Sequence, residues 1–510
     1  MSMNPLGRAL LGLHTWGGLI FGWLLIPIFI AGSLAVFEPE ISRWLAPGLT
    51  APAIVQSSPR QATIQAVELA EQRLQAIAPQ AARWQISLPT SRAPHLAIAW
   101  NAQEQEPAKE EILDATNGTL LRQGTAEGGH FYTEFHAMLH SGSAGKWLVG
   151  SAGIVMLAAL ISGLLIHTRW QRDFFSFRLW AGRRRAWLDA HNLIGLAILP
   201  FLLMISWTGV VILAETFMPA ATLMLYDGKP RANRAEVVHS FKRPPAGLPA
   251  DMRPLTSHLA AAERLLGTGT ISTLIVHHPN DRHGLVQAMR HVDDRLAAVA
   301  DHVTFDAASG VLFGQQVRWN PLAYTYRAQV GLHVAHYGGP LLRWLYFIFG
   351  LLTAALMAAG IVLFNRKQRQ KSRHAACQYL IETVSLTAVG GSTLACLAYL
   401  WSARLTAWPA LHLPDHAPIV SFYLVWALTT VHAAWRTHGH TERAWREQLT
   451  AAALFCLFLP LLDLAGQIAT ATSSNLPTLA ATPMLALGFA LTAGSLGILL
   501  FCSRRLFQQT

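Results

Sequence analysis

Eight stretches of the chain are apolar over roughly the 20 residues a helix needs to cross a hydrocarbon layer. They lie at about 15–37, 146–167, 191–214, 341–364, 379–400, 418–435, 450–469 and 481–502. The first has Ser33 and Ala35 placed like a signal-peptide cleavage site. Its length, the His14 and Trp16 near its start and its copy further along the chain mark it instead as a span. Between the spans, segments 38–145 and 215–340 change period and predict small α+β domains. In the first, ATIQAVELAEQRLQAI reads as an amphipathic helix, RWQISL and HLAIAW as strands, and Asn117-Gly118 as a turn. In the second, PLTSHLAAAERLLG reads as the helix, STLIVHH and GLVQAMR as strands, and DAASGVLFG as a turn parallel to DATNGTLLRQG.

That parallel belongs to a larger internal repeat. His14, Gly32 and Glu38 recur 177 residues later as His191, Gly209 and Glu215. Asp114 and Gly118 recur at 192 as Asp306 and Gly310, and Trp147 and Gly163 at 197 as Trp344 and Gly360. The first four spans are therefore two copies, in the same orientation, of helix, outer domain and helix. The predicted fold is mainly α, a polytopic membrane protein with a duplicated four-helix core. Its divisions are a first span (1–37), an outer domain (38–145), spans two and three (146–214), a second outer domain (215–340), span four (341–364) and a four-span C-terminal extension (365–510).

Composition agrees: 52% of the 510 residues are hydrophobic and only 13% charged. The formal charge of +11 raises the possibility of nucleic acid, but the basic residues sit in short loops beside apolar runs. Arg169, Arg172 and Arg183 to Arg185 follow span two, and Arg366, Lys367 and Arg369 follow span four. The positive-inside rule then puts both termini in the cytoplasm and both long domains on the outer side. The four cysteines, Cys377, Cys396, Cys456 and Cys502, form no CxxC or CxxCH motif.

Histidines mark both membrane faces, where ionisable groups are costly and point to function. His14 and His191 occupy equivalent inner ends of spans one and three, with His167 at the same level. On the outer face, FHAMLHSG offers His136 and His140 and GLHVAHYGG offers His333 and His336. Facing imidazoles at two levels predict bis-histidine ligation of two b-type haems, because a neutral ring is a good iron ligand. The inner pair is His14 and His191. For the outer haem an offset of 197 matches His136 with His333, 196 matches His140 with His336 and 193 matches His140 with His333; the preferred pair is His140 and His333.

The motifs LHTWGG, FHAMLHSGSAGKWLVG, ISGLLIHTRW, LDAHNLIGLAILPF, SWTGV and HYGGPLLRWLYFIFG resemble the PepSY-associated transmembrane proteins over about residues 8 to 370. That iron-regulated group includes ferric-siderophore reductases of bacterial inner membranes. The resemblance implies PepSY domains in the periplasm, a di-haem four-helix core, and reduction of an iron(III)-siderophore at the outer face. Spans five to eight depart from the four-span pattern; their His412, His416, His432, His438 and His440 lack matched partners, and the extension reads as a packing or docking bundle.

HHPNDRH, with His277, His278, Asp281 and His283, looks metal-binding but falls between two strands and reads as a polar turn. RWNPLAYTYR sets Arg318, Trp319, Tyr324, Tyr326 and Arg327 just before His333, a cationic and aromatic group suited to a bulky chelate or, more simply, to anchoring at an interface. No nucleotide fingerprint appears, so a separate donor, quinol or a cytosolic reductase, must supply electrons. Two competing readings are a non-enzymatic anchor that binds peptide or protease through its outer domains, and a siderophore permease.

Overall fold

The computed structural model describes residues 4–46, 59–121, 127–167, 183–225, 241–369, 375–406, 408 and 411–470. The chain divides into two compact units: a helical one of Met1–Leu45, Thr125–Phe217 and Pro340–Thr510, and a sheet-bearing one of Ala46–Gly124 and Met218–Gly339.

Among the described residues, six helices of the helical unit are long and apolar enough to span a membrane, and they make this a multi-pass membrane protein: Pro5–Ala35, Gly142–Ile166, Pro340–Arg369, Ala375–Thr406, Ala417–Thr437 and Thr441–Leu462. The expected third span is broken. Its limbs Arg185–Ala197 and Leu199–Ile212 meet at 65°. Pro200 explains the break, since it has no N–H to donate and its ring collides with the carbonyl of Leu196. The run at 481–502 lies outside the described residues. Ala375–Thr406 is buried over 72% of its apolar window and so is a core helix, whereas Gly142–Ile166 and Ala417–Thr437, at 22% and 17%, keep apolar side chains for lipid.

Pro5 opens the first span under an Asn4 cap whose Oδ1 accepts from Gly7 N at 2.7 Å. One π-helical turn, Leu13–Gly17, interrupts this span and carries His14. Such turns insert an extra residue and re-aim the side chains beside them.

The C-terminal extension packs on the core of this unit. Trp23 donates to Ser385 Oγ at 3.1 Å, and the Arg404 guanidinium donates to Trp44 O at 3.1 Å while lying over the Trp44 ring. Against the helix His130–Met138, Tyr399 stacks on Phe131 at 4.0 Å between ring centres, and Tyr132 donates to Cys396 O at 2.7 Å. Tyr399 also donates to Gly128 O at 2.9 Å. The extension thereby fixes the helix that carries His136. Tyr399→Ala should destabilise the unit by about 3–5 kcal/mol, the usual range for removing a buried aromatic. Tyr399→Phe should cost only about 1 kcal/mol, for one hydrogen bond. Thermal midpoints of the two variants check that ordering.

Further along the extension, His432 Nε2 contacts Glu447 Oε2 at 2.9 Å and Arg436 Nε donates to the same oxygen at 2.9 Å. His438 stacks on Tyr379 at 4.1 Å. These histidines are engaged in packing and ion pairing within the bundle.

The second unit holds one antiparallel sheet of seven strands: β1 Arg83–Ser87, β2 Leu96–Asn101, β3 Lys109–Leu113, β4 Ile271–His277, β5 Leu285–Arg290, β6 His302–Asp306 and β7 Leu312–Gln316. Their spatial order is β3-β2-β1-β4-β5-β6-β7. The two α+β segments therefore join edge to edge, with β1 pairing β4 in the register Trp84↔Val276 and Ile86↔Leu274. Each copy alone would leave β1 or β4 with unpaired backbone groups, and pairing the two removes both open edges. Helices Pro59–Ile77 and Leu255–Leu266 share the sheet's core: Val67, Ala70 and Leu74 from one and Leu259, Ala262 and Leu266 from the other pack with Trp84, Ile98, Leu274 and Val286. The repeat extends to turn geometry. Gly118 and Gly310 both have φ +72°, and each donates its N–H at 2.9 Å, to Asp114 O and Asp306 O respectively.

His277, opposite Arg83 in the sheet, has its pKa pushed down to about 4 by burial first and then by Lys242, Arg83 and His278. Because the folded value lies below the ordinary 6.5, the neutral ring's contribution is complete above about pH 6.5 and disappears as the pH falls toward 4. His258 is shifted in the same direction by burial. Amide exchange in β4 and β5, corrected for intrinsic rates, should thus quicken on acidification from pH 7 to 4.5. His277→Asn should flatten that response.

Candidate cofactor site

Three histidines of the helical unit share one arrangement. His14 Nδ1 lies 2.9 Å from Ala159 O, and Gly163, four residues further on that helix, faces its ring. His191 Nδ1 lies 2.9 Å from Leu356 O, with Gly360 against its ring. His136 Nδ1 lies 2.9 Å from Ile28 O, with Gly32 against its ring. A carbonyl can only accept, so each Nδ1 carries the proton, and in His14 and His191 the lone pair is left on Nε2. Metal-ligating histidines are held in this way, with one ring nitrogen donating to a backbone carbonyl and the other serving as the ligand.

The glycines make the close approach possible. A Cβ at Gly163 would stand 2.8 Å from His14 Cε1, one at Gly360 3.1 Å from His191 Cε1, and one at Gly32 2.5 Å from His136 Nδ1.

The His14 and His191 rings are 6.2 Å apart between centroids and nearly perpendicular, at 81°. A metal bonded to one nitrogen of each ring at about 2 Å, with roughly 1 Å from nitrogen to ring centre, needs centroids about 6 Å apart. The two rings thus have the spacing that two imidazoles holding one metal ion would need. His167 caps the C-terminus of Gly142–Ile166, and its N–H donates to Gly163 O at 3.2 Å. It lies one turn from the glycine that faces His14.

The outer candidates differ from one another. His136, in the helix His130–Met138, repeats the carbonyl and glycine arrangement; its pKa is lowered by burial, partly offset by the Ile28 carbonyl. Its ring is held neutral, as a ligand must be. His140, preferred from sequence, instead lies past the helix end at φ 52°, with Nε2 2.8 Å from Phe131 O and its ring against Phe131. In the sheet-bearing unit, His333 ends the helix Pro321–Val334, and the exposed His336 pairs with Asp293 at 3.4 Å.

The other sequence candidates divide in the same way. Trp319 donates to Asp301 Oδ1 at 2.9 Å and so has a structural task, while Tyr324 and Tyr326 are exposed on Pro321–Val334. The Arg327 carbonyl accepts from Ala298 N at 3.2 Å. The HHPNDRH segment is a turn organised by Asp281, whose carboxylate accepts from the N–H groups of Ala246, Gly247 and His283.

Comparison with known proteins covers this same core. A Pseudomonas aeruginosa protein named "Uncharacterized protein PA4219" is 30% identical over 343 residues, which is 63% of this chain and 83% of that protein. Residues 11–367, the four-span core with both intervening segments, match the family described as PepSY-associated TM region. The chain belongs to the PepSY-associated transmembrane family.

Proposed function

We propose that this protein is a di-haem b membrane oxidoreductase that passes electrons from the cytoplasmic side, from quinol or a cytosolic reductase, to a ferric siderophore or similar iron(III) chelate at the periplasmic face of a bacterial inner membrane. The observation that carries the reading is the His14 and His191 pair, 6.2 Å apart, each with Nδ1 tied to a carbonyl and a glycine against the ring. Interfacial anchoring explains single histidines but not a matched pair with both Nε2 lone pairs left for a ligand. Bound haem would supply one-electron transfer, its potential set by axial ligation and burial.

The chain's own part is to hold these rings. His14 and His191 would be the inner ligands, oriented by Ala159 O and Leu356 O. For the outer level the geometry around His136 favours it over His140. No acid or base is required of the protein, because a chelator of hard oxygen ligands releases iron once it is iron(II).

In vesicles holding an internal reductant, the parent protein should reduce an external ferric chelate, trapped as a coloured iron(II) complex. Vesicles that take up the intact chelate without reductant would favour a permease, and an unaltered rate with His14 and His191 both replaced by Ala would favour an anchor.

A further inference from the structure

Beside the proposed outer ligand, Glu127, Glu134 and His140 bring two carboxylate oxygens and an imidazole nitrogen within 4.8 Å of one another. The helix His130–Met138 supplies Glu134, and the residues flanking it supply the others. Glu127 is exposed and the other two are half-buried, so the group opens outward.

Three features separate this from a chance meeting of surface acids. His140 Nε2 lies 2.8 Å from Phe131 O, so that nitrogen is the donor and the lone pair is on Nδ1. Phe131 and Phe135 fix the ring, at 4.4 and 5.8 Å between centroids. Finally, neither carboxylate has a Lys or Arg ion-pair partner among the described residues. A dication balances both.

We propose that Glu127, Glu134 and His140 form a binding site for a divalent transition-metal ion. Two carboxylates and one imidazole suit iron(II), manganese(II), cobalt(II) or zinc(II), because the ring nitrogen adds affinity that magnesium and calcium do not draw on. Resting on the functional reading above, its occupant is the iron(II) released at the outer face. Glu134 stands two residues before His136 on the same helix, so the ion is received close to the place of reduction. Iron(III) stays with its oxygen-rich chelator until one electron converts it to iron(II), and only the freed dication moves to the site.

The test uses the full chain in detergent with cobalt(II), an air-stable probe with visible d–d bands. The parent should bind one cobalt(II) at this site, retained in a large excess of magnesium. Glu134→Gln, Glu127→Gln and His140→Gln should each weaken that binding by about tenfold or more, on the scale of lost ligand-shell groups. Each variant's thermal midpoint and far-ultraviolet circular dichroism should match the parent's, which separates ligand loss from unfolding. Absence of cobalt binding in the parent, displacement by equimolar magnesium, or equal affinity in all three variants overturns the site. None of these readouts involves electron transfer, so failure here leaves the haem reading standing. Absence of haem likewise leaves the metal measurement intact.

Discussion

His191→Ala should lower the haem content of the purified protein from two per chain to one and stop delivery of electrons from an internal donor to an external ferric chelate. The structural reason is local. His191 lies 6.2 Å from His14 with Leu356 O holding its Nδ1, and alanine removes its ring from the pair. Losing one axial ligand changes iron potential and access together, so the expected effect on transfer is a loss of about a hundredfold or more, comparable to deletion of a metal's supporting shell. Dithionite added outside should still reduce the remaining haem. If the variant passes electrons from inside at the parent rate, the inner histidines are structural and the serial arrangement is wrong.

A second large effect should come from a residue with no side chain. Gly163→Val puts a branched group where even a Cβ would stand 2.8 Å from His14 Cε1. The His14 ring must then leave its carbonyl partner Ala159 O or the two helices must part. The expected result is the same loss of the inner haem as His14→Ala, although every histidine is intact. Gly153→Val is the control: it lies on the same helix and has only a Val210 methyl near its Cβ position, at 3.1 Å. It should retain both haems. Equal haem content in all three proteins would mean that the glycine contact does not position a ligand.

Much of this organisation is legible in the sequence because it is periodic. Apolar runs of span length identify the membrane helices, and alternation in RWQISL and STLIVHH places Trp84, Ile86, Leu274 and Val276 on the core side of the sheet. The repeat offsets even carry part of the site. Gly163, Gly360 and Gly32 stand out in the sequence only as repeat markers; their task becomes plain when the rings they face are seen.

What escapes sequence reading is non-local or depends on the chain's exact path. Pairing of β1 with β4 joins strands almost 190 residues apart, and an amphipathic strand does not say which edge it will find. The choice between His136 and His140 turns on a helix that ends at Met138 and reverses through two residues at φ 52°. Helical spacing places both histidines on one face, but the break sends them to different partners. The π turn at Leu13–Gly17 is similarly invisible to a period of 3.6. The run 191–214 predicts one continuous span, and the structure bends it at Pro200.

The most direct measurement of the central claim is the dithionite-reduced minus oxidised absorption spectrum of the purified protein, with haem quantified per chain. The arrangement of His14, His191 and His136 predicts two b-type haems with the low-spin bands of bis-histidine iron, and loss of one of them in His14→Ala. A parent protein with no Soret band, or with both histidines of the inner pair replaceable by alanine at unchanged haem content, would contradict it.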